Sequence, residues 1–223
     1  MKKRVFTVAL VICLVAIVGF GSLAYFQSSK NLTNKFYVAG TGPNGPSTID
    51  PDALFSIKLD EQVINSQDRT ENGNTYEGIL PGDRLEKDPT VTNTGKYNAW
   101  VRMKVTVTDY SAWVAACGKH GITDLGVLFE DFDDTKWERG IYDEKHNTTA
   151  DEFTFVYYYL AELAPEESAT LFTAVKIPRT FDVEDMASLA TFEFKITAEA
   201  IQAANTGANA KAAFRDLWVE ATP

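Results

Sequence analysis

The stretch KDPTVTNTGKYNAWVRMKVTV, residues 87–107, decides the fold class. Its second half alternates strictly, with Trp100, Arg102, Lys104 and Thr106 facing one way and an apolar set facing the other, namely Ala99, Val101, Met103, Val105 and Val107. A period of two with one apolar face predicts a half-buried β-strand. Asn93, Thr94 and Gly95 favour turn conformations, so we predict a hairpin-like unit of an antiparallel sheet.

The rest of the chain supplies further strands of the same kind. Residues 53–59, 153–159, 169–177 and 192–199 are rich in β-branched and aromatic residues or alternate in polarity, and Gly/Pro-rich or polar segments separate them. Two short helices are predicted at residues 110–117 and 208–218. About seven or eight strands with turns between them predict one all-β domain, an antiparallel two-sheet sandwich with a few short helices.

The first 24 residues are predicted to be a secretory signal peptide. Lys2, Lys3 and Arg4 precede an uninterrupted apolar run over residues 5–20, which is shorter than the ~20 residues that a membrane-spanning helix needs. Ser22 and Ala24 place small residues where a signal peptidase requires them. Cleavage is therefore expected between Ala24 and Tyr25, leaving residues 25–223 as the mature domain.

Charge and cysteine content limit the possible partners of that domain. Loss of three positive charges with the leader changes the net charge from −10 to −13, and no cluster of Lys and Arg is present. So acidic a chain without a basic patch is not expected to bind nucleic acid. Only Cys117 remains after cleavage, so no intramolecular disulfide can form, and Cys117 is predicted to be a buried apolar residue.

The sequence contains no recognisable catalytic motif. Its only histidines, His120 and His146, are far apart, and neither belongs to an H-E-x-x-H zinc site. No G-x-S-x-G elbow occurs, and Cys117 lies too close in sequence to His120 to suggest a papain-like pair. The acid-rich residues 130–134 lack the spacing of a calcium loop and are interpreted as a solvated acidic loop. We therefore predict no enzyme activity, no cofactor and no metal site.

Several short motifs occur along the chain in a characteristic order. The leader with residues 21–26, GSLAYF, resembles signals processed by the dedicated peptidase SipW. The mature chain contains LPGD (80–83), KDPTVTNTG (87–95), AWVR (99–102), YYY (157–159), LF (171–172), VKIP (175–178) and AEAIQA (198–203). In these motifs and their order it resembles the TasA/camelysin family. The segments LPGD (80–83) and LAPEE (163–167) are predicted to be two corresponding turns, and one departure from the family is Glu166, which stands where the second turn often has glycine.

The resemblance implies a secreted jelly-roll domain that polymerises into fibres of a bacterial extracellular matrix. Subunits would be joined when each donates its N-terminal strand to the next, with an accessory matrix protein as a possible partner. The implied location is outside the cell, in the matrix or on the cell surface. One branch of the family is labelled a metallopeptidase, but this sequence offers no zinc motif to match that label.

Residues 25–39, YFQSSKNLTNKFYVA, have the character of such a donor strand. Phe26, Leu32, Phe36 and Val38 would be its apolar anchors. A tethered segment of strand length can pair with an exposed sheet edge, although the same segment can equally be the first strand of its own domain.

Two other functions remain open at this point. In a carbohydrate- or surface-binding module, Tyr97, Trp100 and the tyrosines at 157–159 would form an aromatic platform, but the same side chains suit a sheet core equally well. The remaining alternative is a camelysin-like secreted metallopeptidase.

Overall fold

The computed structural model describes residues 27–31, 55–189 and 191–219; for residues 27–31 and 216–219 only the backbone is described. Within these ranges the chain forms three α-helices: α1 (Tyr110–Lys119), α2 (Val183–Ser188) and α3 (Ala210–Val219). The strands are β1 (Gln27–Asn31), β2 (Ile57–Gln62), β3 (Arg69–Thr70), β4 (Arg84–Glu86), β5 (Thr90–Asn93), β6 (Ala99–Val107), β7 (Phe129–Glu130), β8 (Trp137–Arg139), β9 (Lys145–Asn147), β10 (Glu152–Tyr159), β11 (Ser168–Thr170), β12 (Ala174–Lys176) and β13 (Phe194–Gln202).

The strands form two antiparallel layers, which confirms the predicted all-β sandwich. One layer has the order β1-β13-β6-β10-β8, with β9 also paired to β10. The other consists of two ladders, β11-β5-β2-β3 and β4-β12-β7. These ladders are joined where Lys87 N donates to Thr173 O (3.2 Å) and Leu171 N donates to Pro89 O (3.1 Å). Pro89 has no amide hydrogen, which accounts for the break between β4 and β5.

The main core lies between the layers. It contains the inward side chains of β6, β10 and β13 on one side and residues such as Ile57, Val91 and Val175 on the other. Phe129 stacks on Phe172 with ring centroids 4.7 Å apart. Trp137 Nε1 donates to Thr170 O (2.9 Å) and so ties β8 to β11 across the core.

The predicted hairpin-like unit is not a hairpin. β5 pairs with β2 and β11, whereas β6 pairs with β13 and β10, so the chain crosses from one layer to the other at residues 94–98. The buried Asn93 organises this crossing: its Nδ2 donates to Tyr97 O and to Leu163 O (2.8 Å each), and its Oδ1 accepts from Gly95 N (3.0 Å). The chain does turn at the predicted residues, but the turn leads it into the other layer and does not form a hairpin within one sheet.

Strand β6 is also more buried than the prediction of one apolar face allows. Trp100 and Arg102, on the predicted polar face, are each 7% exposed. A second cluster covers them, in which Ala210, Ala213 and Phe214 of α3 pack on Trp100 and on the neighbouring strands. The guanidinium of Arg102 lies 4.3 Å from the centre of the Phe214 ring, a favourable cation–π contact.

LPGD (80–83) and LAPEE (163–167) both form turns that precede a strand, β4 and β11 respectively. Gly82 has a φ of 89° and Glu166 has a φ of 63°. Both values lie in the left-handed region that favours glycine, so Glu166 occupies a position suited to glycine at some conformational cost.

Replacing Asn93 with alanine is expected to destabilise the protein by about 2 kcal/mol, because two carbonyls and one amide at the crossing lose a partner at a buried position. Urea unfolding of N93A beside the parent protein measures this difference. The matched control is N98A, since Asn98 is exposed and its side chain bonds to the exposed Glu162. Equal losses in the two variants would contradict the role assigned to Asn93.

A second prediction concerns Asp185, whose side chain is fully buried. Lys119 Nζ donates to its Oδ1 (2.7 Å) and His120 Nε2 lies 2.8 Å from its Oδ2. The bonds from Lys119 and His120 outweigh desolvation and hold the pKa of Asp185 well below its ordinary value. Because the folded-state pKa is depressed, the stabilisation is present above the unfolded pKa of about 3.9 and is lost as pH falls below it.

Asp185→Asn is therefore expected to lower the free energy of unfolding at pH 7, and the difference from the parent should shrink below about pH 4. Urea titrations at neutral and acidic pH test this expectation. Asp134→Asn, at an exposed position, serves as control. A D185N variant as stable as the parent at pH 7 would contradict the assignment.

Candidate assembly edge

The candidate functional site is the sheet edge formed by β1 and β13. β13 pairs with the central strand β6 on one side along its whole length. On the other side it pairs with β1, from Gln27 opposite Ile201 to Asn31 opposite Thr197. In the part of the chain that the structure describes, β1 is therefore an outermost strand and joins the sheet through a single ladder.

The β1 ladder ends before β13 does. Glu193 O accepts from Thr108 N (3.1 Å), which directs the backbone groups of Glu193 towards β6. Because backbone groups alternate in direction along a strand, those of Phe194 and Ile196 are directed towards the β1 side. Phe194 and Ile196 lie past the end of the β1 ladder, where Asn31 is opposite Thr197. Among the described residues no strand pairs with this part of β13, so a longer strand could pair there.

A cleft of about 970 Å³ opens beside the same part of the edge. Its apolar wall includes Leu85, Val175, Leu189 and Ile196, all of which are buried. Residues 72–79 form the opposite rim. The volume is within the range of pockets that hold small ligands or short peptide segments.

Charged groups stabilise the outer face of β6 and β13 next to this edge. Glu199 forms ion pairs with Arg102 and with Lys104, the latter at 2.7 Å. Burial opposes ionisation of Glu199, but the two cations outweigh it and lower the pKa of this carboxyl. The charged groups on this part of the outer face therefore neutralise one another, as suits a strand close to a sheet edge.

The predicted site residues lie outside the described residues. This holds for Ala24 and Tyr25 at the expected cleavage site and for the four expected anchors, Phe26, Leu32, Phe36 and Val38. The structure places a strand inside the predicted donor segment, but over Gln27–Asn31, whose sequence QSSKN has no apolar residue. Its pairing with β13 of its own chain corresponds to the alternative in which the segment is a first strand.

The aromatic platform considered for carbohydrate binding does not form. Trp100, Tyr157, Tyr158 and Tyr159 are buried, and only Tyr97 is exposed. Tyr157 and Tyr159 belong to the core between the layers, while Trp100 and Tyr158 lie under α3. These buried side chains therefore offer no exposed surface on which sugar rings could stack.

The groups considered for catalysis are held in structural contacts. His120 bonds to Asp185, and His146 packs against Tyr110. Cys117 is buried, and burial followed by the charge of Asp185 raises the pKa of its thiol to about 11. Within the described ranges, no group of three or more His, Cys, Asp or Glu side chains is arranged to hold a metal ion.

The acidic residues 130–134 are partly neutralised rather than simply solvated. Glu130 pairs with Lys176 and Arg84, which lower the pKa of its carboxyl. Asp133 bonds to Thr135 and lies 3.4 Å from Lys136.

None of the helices among the described residues is long and apolar enough to cross a membrane. Comparisons of the chain with protein-family models, with curated proteins and with solved structures find no match.

Proposed function

We propose that this protein is a secreted structural subunit that self-associates into fibres of a bacterial extracellular matrix. In this proposal the jelly-roll connectivity and the location outside the cell come from the resemblance to the TasA/camelysin family. The assembly step is the exchange of the N-terminal strand, so that β1 of one subunit pairs with β13 of the next. An accessory matrix protein is a possible further partner.

The observation that carries the proposal is the position of β1. It is an edge strand, and 25 residues separate its end at Asn31 from the start of β2 at Ile57. A chain of that length can extend to about 80 Å, enough to reach a neighbouring subunit. Strands exchanged in this way keep the same contacts, so exchange between copies carries little energetic cost.

The part of the β13 edge that no strand among the described residues pairs with supports the same proposal. If β1 continued in register, Leu32 would lie opposite Ile196 and Asn34 opposite Phe194. The cleft beside these residues offers an apolar wall to the side chains of such a longer strand. A donor of more than five residues would thus gain contacts that β1 alone does not make.

Paired cysteines test strand exchange directly. Asn31 and Thr197 are directly opposite, and such pairs have Cα atoms about 4.5 to 5.5 Å apart, within disulfide range. Purified N31C and T197C proteins are mixed, allowed to form fibres and oxidised. We expect a disulfide-linked heterodimer as the main product, because the thiol introduced at position 31 of one subunit meets the thiol introduced at position 197 of another.

The control mixture pairs T197C with T149C, which places the cysteine in an exposed turn outside the ladder. The buried Cys117 should not compete. Fibres without a heterodimer above this control would exclude strand exchange, and the absence of fibres by electron microscopy would exclude the structural role itself.

The charge of the mature chain gives a further prediction. Subunits with a net charge of −13 repel one another, and a Debye length of ~10 Å at 0.1 M salt leaves adjacent surfaces partly unscreened. Fibre formation, followed by light scattering, should therefore accelerate with added salt and at about pH 5, where carboxylates begin to titrate. Fibres that dissolve as salt increases would contradict this expectation.

A further inference from the structure

A lysine, a glutamate and an asparagine meet beside the cleft, which Lys87 and Asn74 help to line. Lys87 Nζ lies 2.7 Å from Glu61 Oε2, and their side chains are 9% and 0% exposed. The other oxygen, Glu61 Oε1, accepts a hydrogen bond from Asn74 Nδ2 (3.2 Å). One buried carboxylate therefore holds both an amine and a carboxamide.

Three separate elements bring these groups together. Glu61 lies in β2, Lys87 follows β4, and Asn74 belongs to the loop between β3 and β4. Gly73, with a φ of 80°, lies in the left-handed region that favours glycine and turns the loop towards Glu61. The Lys87 backbone is fixed by its bond to Thr173 O.

Three hydrogen bonds fix the carboxamide of Asn74 beside Glu61. Its Oδ1 accepts from the backbone N–H of Ile64 (3.3 Å), which places a donor beside the oxygen on which negative charge would develop. Its Nδ2 donates both to Glu61 and to Gln62 O (2.8 Å), so the leaving nitrogen lies beside the group that can protonate it. Asn74 is half-buried, whereas Glu61 and Lys87 are buried, so the amine and the carboxylate are largely shielded from water.

We propose that Lys87 and Asn74 become joined by an intramolecular isopeptide bond whose formation is assisted by Glu61. Lys87 first transfers a proton to Glu61, converting a buried ion pair into a neutral amine and a neutral acid. The Nζ lone pair then attacks Cγ of Asn74, and negative charge develops on Oδ1 beside the Ile64 N–H.

Glu61 completes the reaction by moving protons. It donates a proton to Nδ2 and accepts the second proton that Nζ loses, after which the Cγ–Nδ2 bond breaks. The new bond is Nζ–Cγ. The displaced nitrogen leaves as ammonia and Glu61 keeps the remaining proton, so atoms and charge balance without any oxidant or cofactor and the buried acid ends neutral.

Such a bond has a clear structural consequence. It removes a buried positive charge and ties the 72–79 rim of the cleft to the end of β4. Closing a loop covalently restricts the unfolded chain. The mature chain has one cysteine and cannot form an internal disulfide, so this bond would be a cross-link of another kind.

Intact-mass measurement of the folded mature protein tests the proposal. We expect complete conversion, seen as a mass lower than that of the sequence by one ammonia. Trypsin does not cut after an acylated lysine, so digestion should give residues 70–84 joined to residues 85–96. A folded parent protein at the full calculated mass would overturn the proposal without any variant.

Variants test whether Glu61, Asn74 and Lys87 are the residues required. They also test whether ammonia is lost by another reaction, the cyclisation of an asparagine. E61Q preserves the size of the side chain but cannot transfer protons, and N74A and K87M each remove one reacting group; all three should have the full calculated mass. N72A is the matched control, because Asn72 lies in the same loop before Gly73, and it should cross-link like the parent. K87M has no amine to form the cross-link. If this variant still loses ammonia, the loss comes from cyclisation of an asparagine, and the proposal is overturned.

Discussion

The structure depends on burying the central strand β6 on both of its faces. Its inward side chains fill the core between the layers, and its outward residues Trp100 and Arg102 lie beneath α3. A strand in this position needs neighbours on both edges and cover on both sides. β13 and β10 supply the edges, while the second layer and the C-terminal helix supply the cover.

Placing a charged residue on a buried face imposes a further constraint. Arg102 is compensated by Glu199 from β13 and by the ring of Phe214 from α3. The same carboxylate also holds Lys104, so one acid neutralises two cations along adjacent strands. The sheet that carries the candidate edge is thus stabilised by a charged cluster next to that edge, since Glu199 lies in the β1 ladder opposite Ser29.

Alternation in the sequence predicted β6 and β13, the β-favouring composition of residues 153–159 predicted β10, and the helices predicted at residues 110–117 and 208–218 correspond to α1 and α3. Local patterns could not show that Asn93, Thr94 and Gly95 lead to the other layer, because that depends on the carbonyls of Tyr97 and Leu163. The short helix α2 was missed, although Asp182 and Asp185 form a capping box there.

The least predictable feature was the burial of Glu61. It lies in a polar stretch that resembles a solvated loop, and its partners Asn74 and Lys87 are 13 and 26 positions away in sequence. Only the return of the chain after β3 brings them together. The predicted assembly anchors remain predictions, because they lie outside the described residues.

The polar sequence of β1 affects how exchange between subunits could be driven. A strand with the sequence QSSKN contributes mainly its backbone hydrogen bonds, and these are the same whether β13 belongs to its own chain or to another. The ladder itself therefore does not favour either state. The preference must arise from the residues that flank β1 and from the effective concentration that the 25-residue connection imposes on the intramolecular pairing. If strands are exchanged as proposed, the subunit concentration and the repulsion between acidic surfaces determine whether β13 pairs with β1 of its own chain or with β1 of a neighbouring subunit.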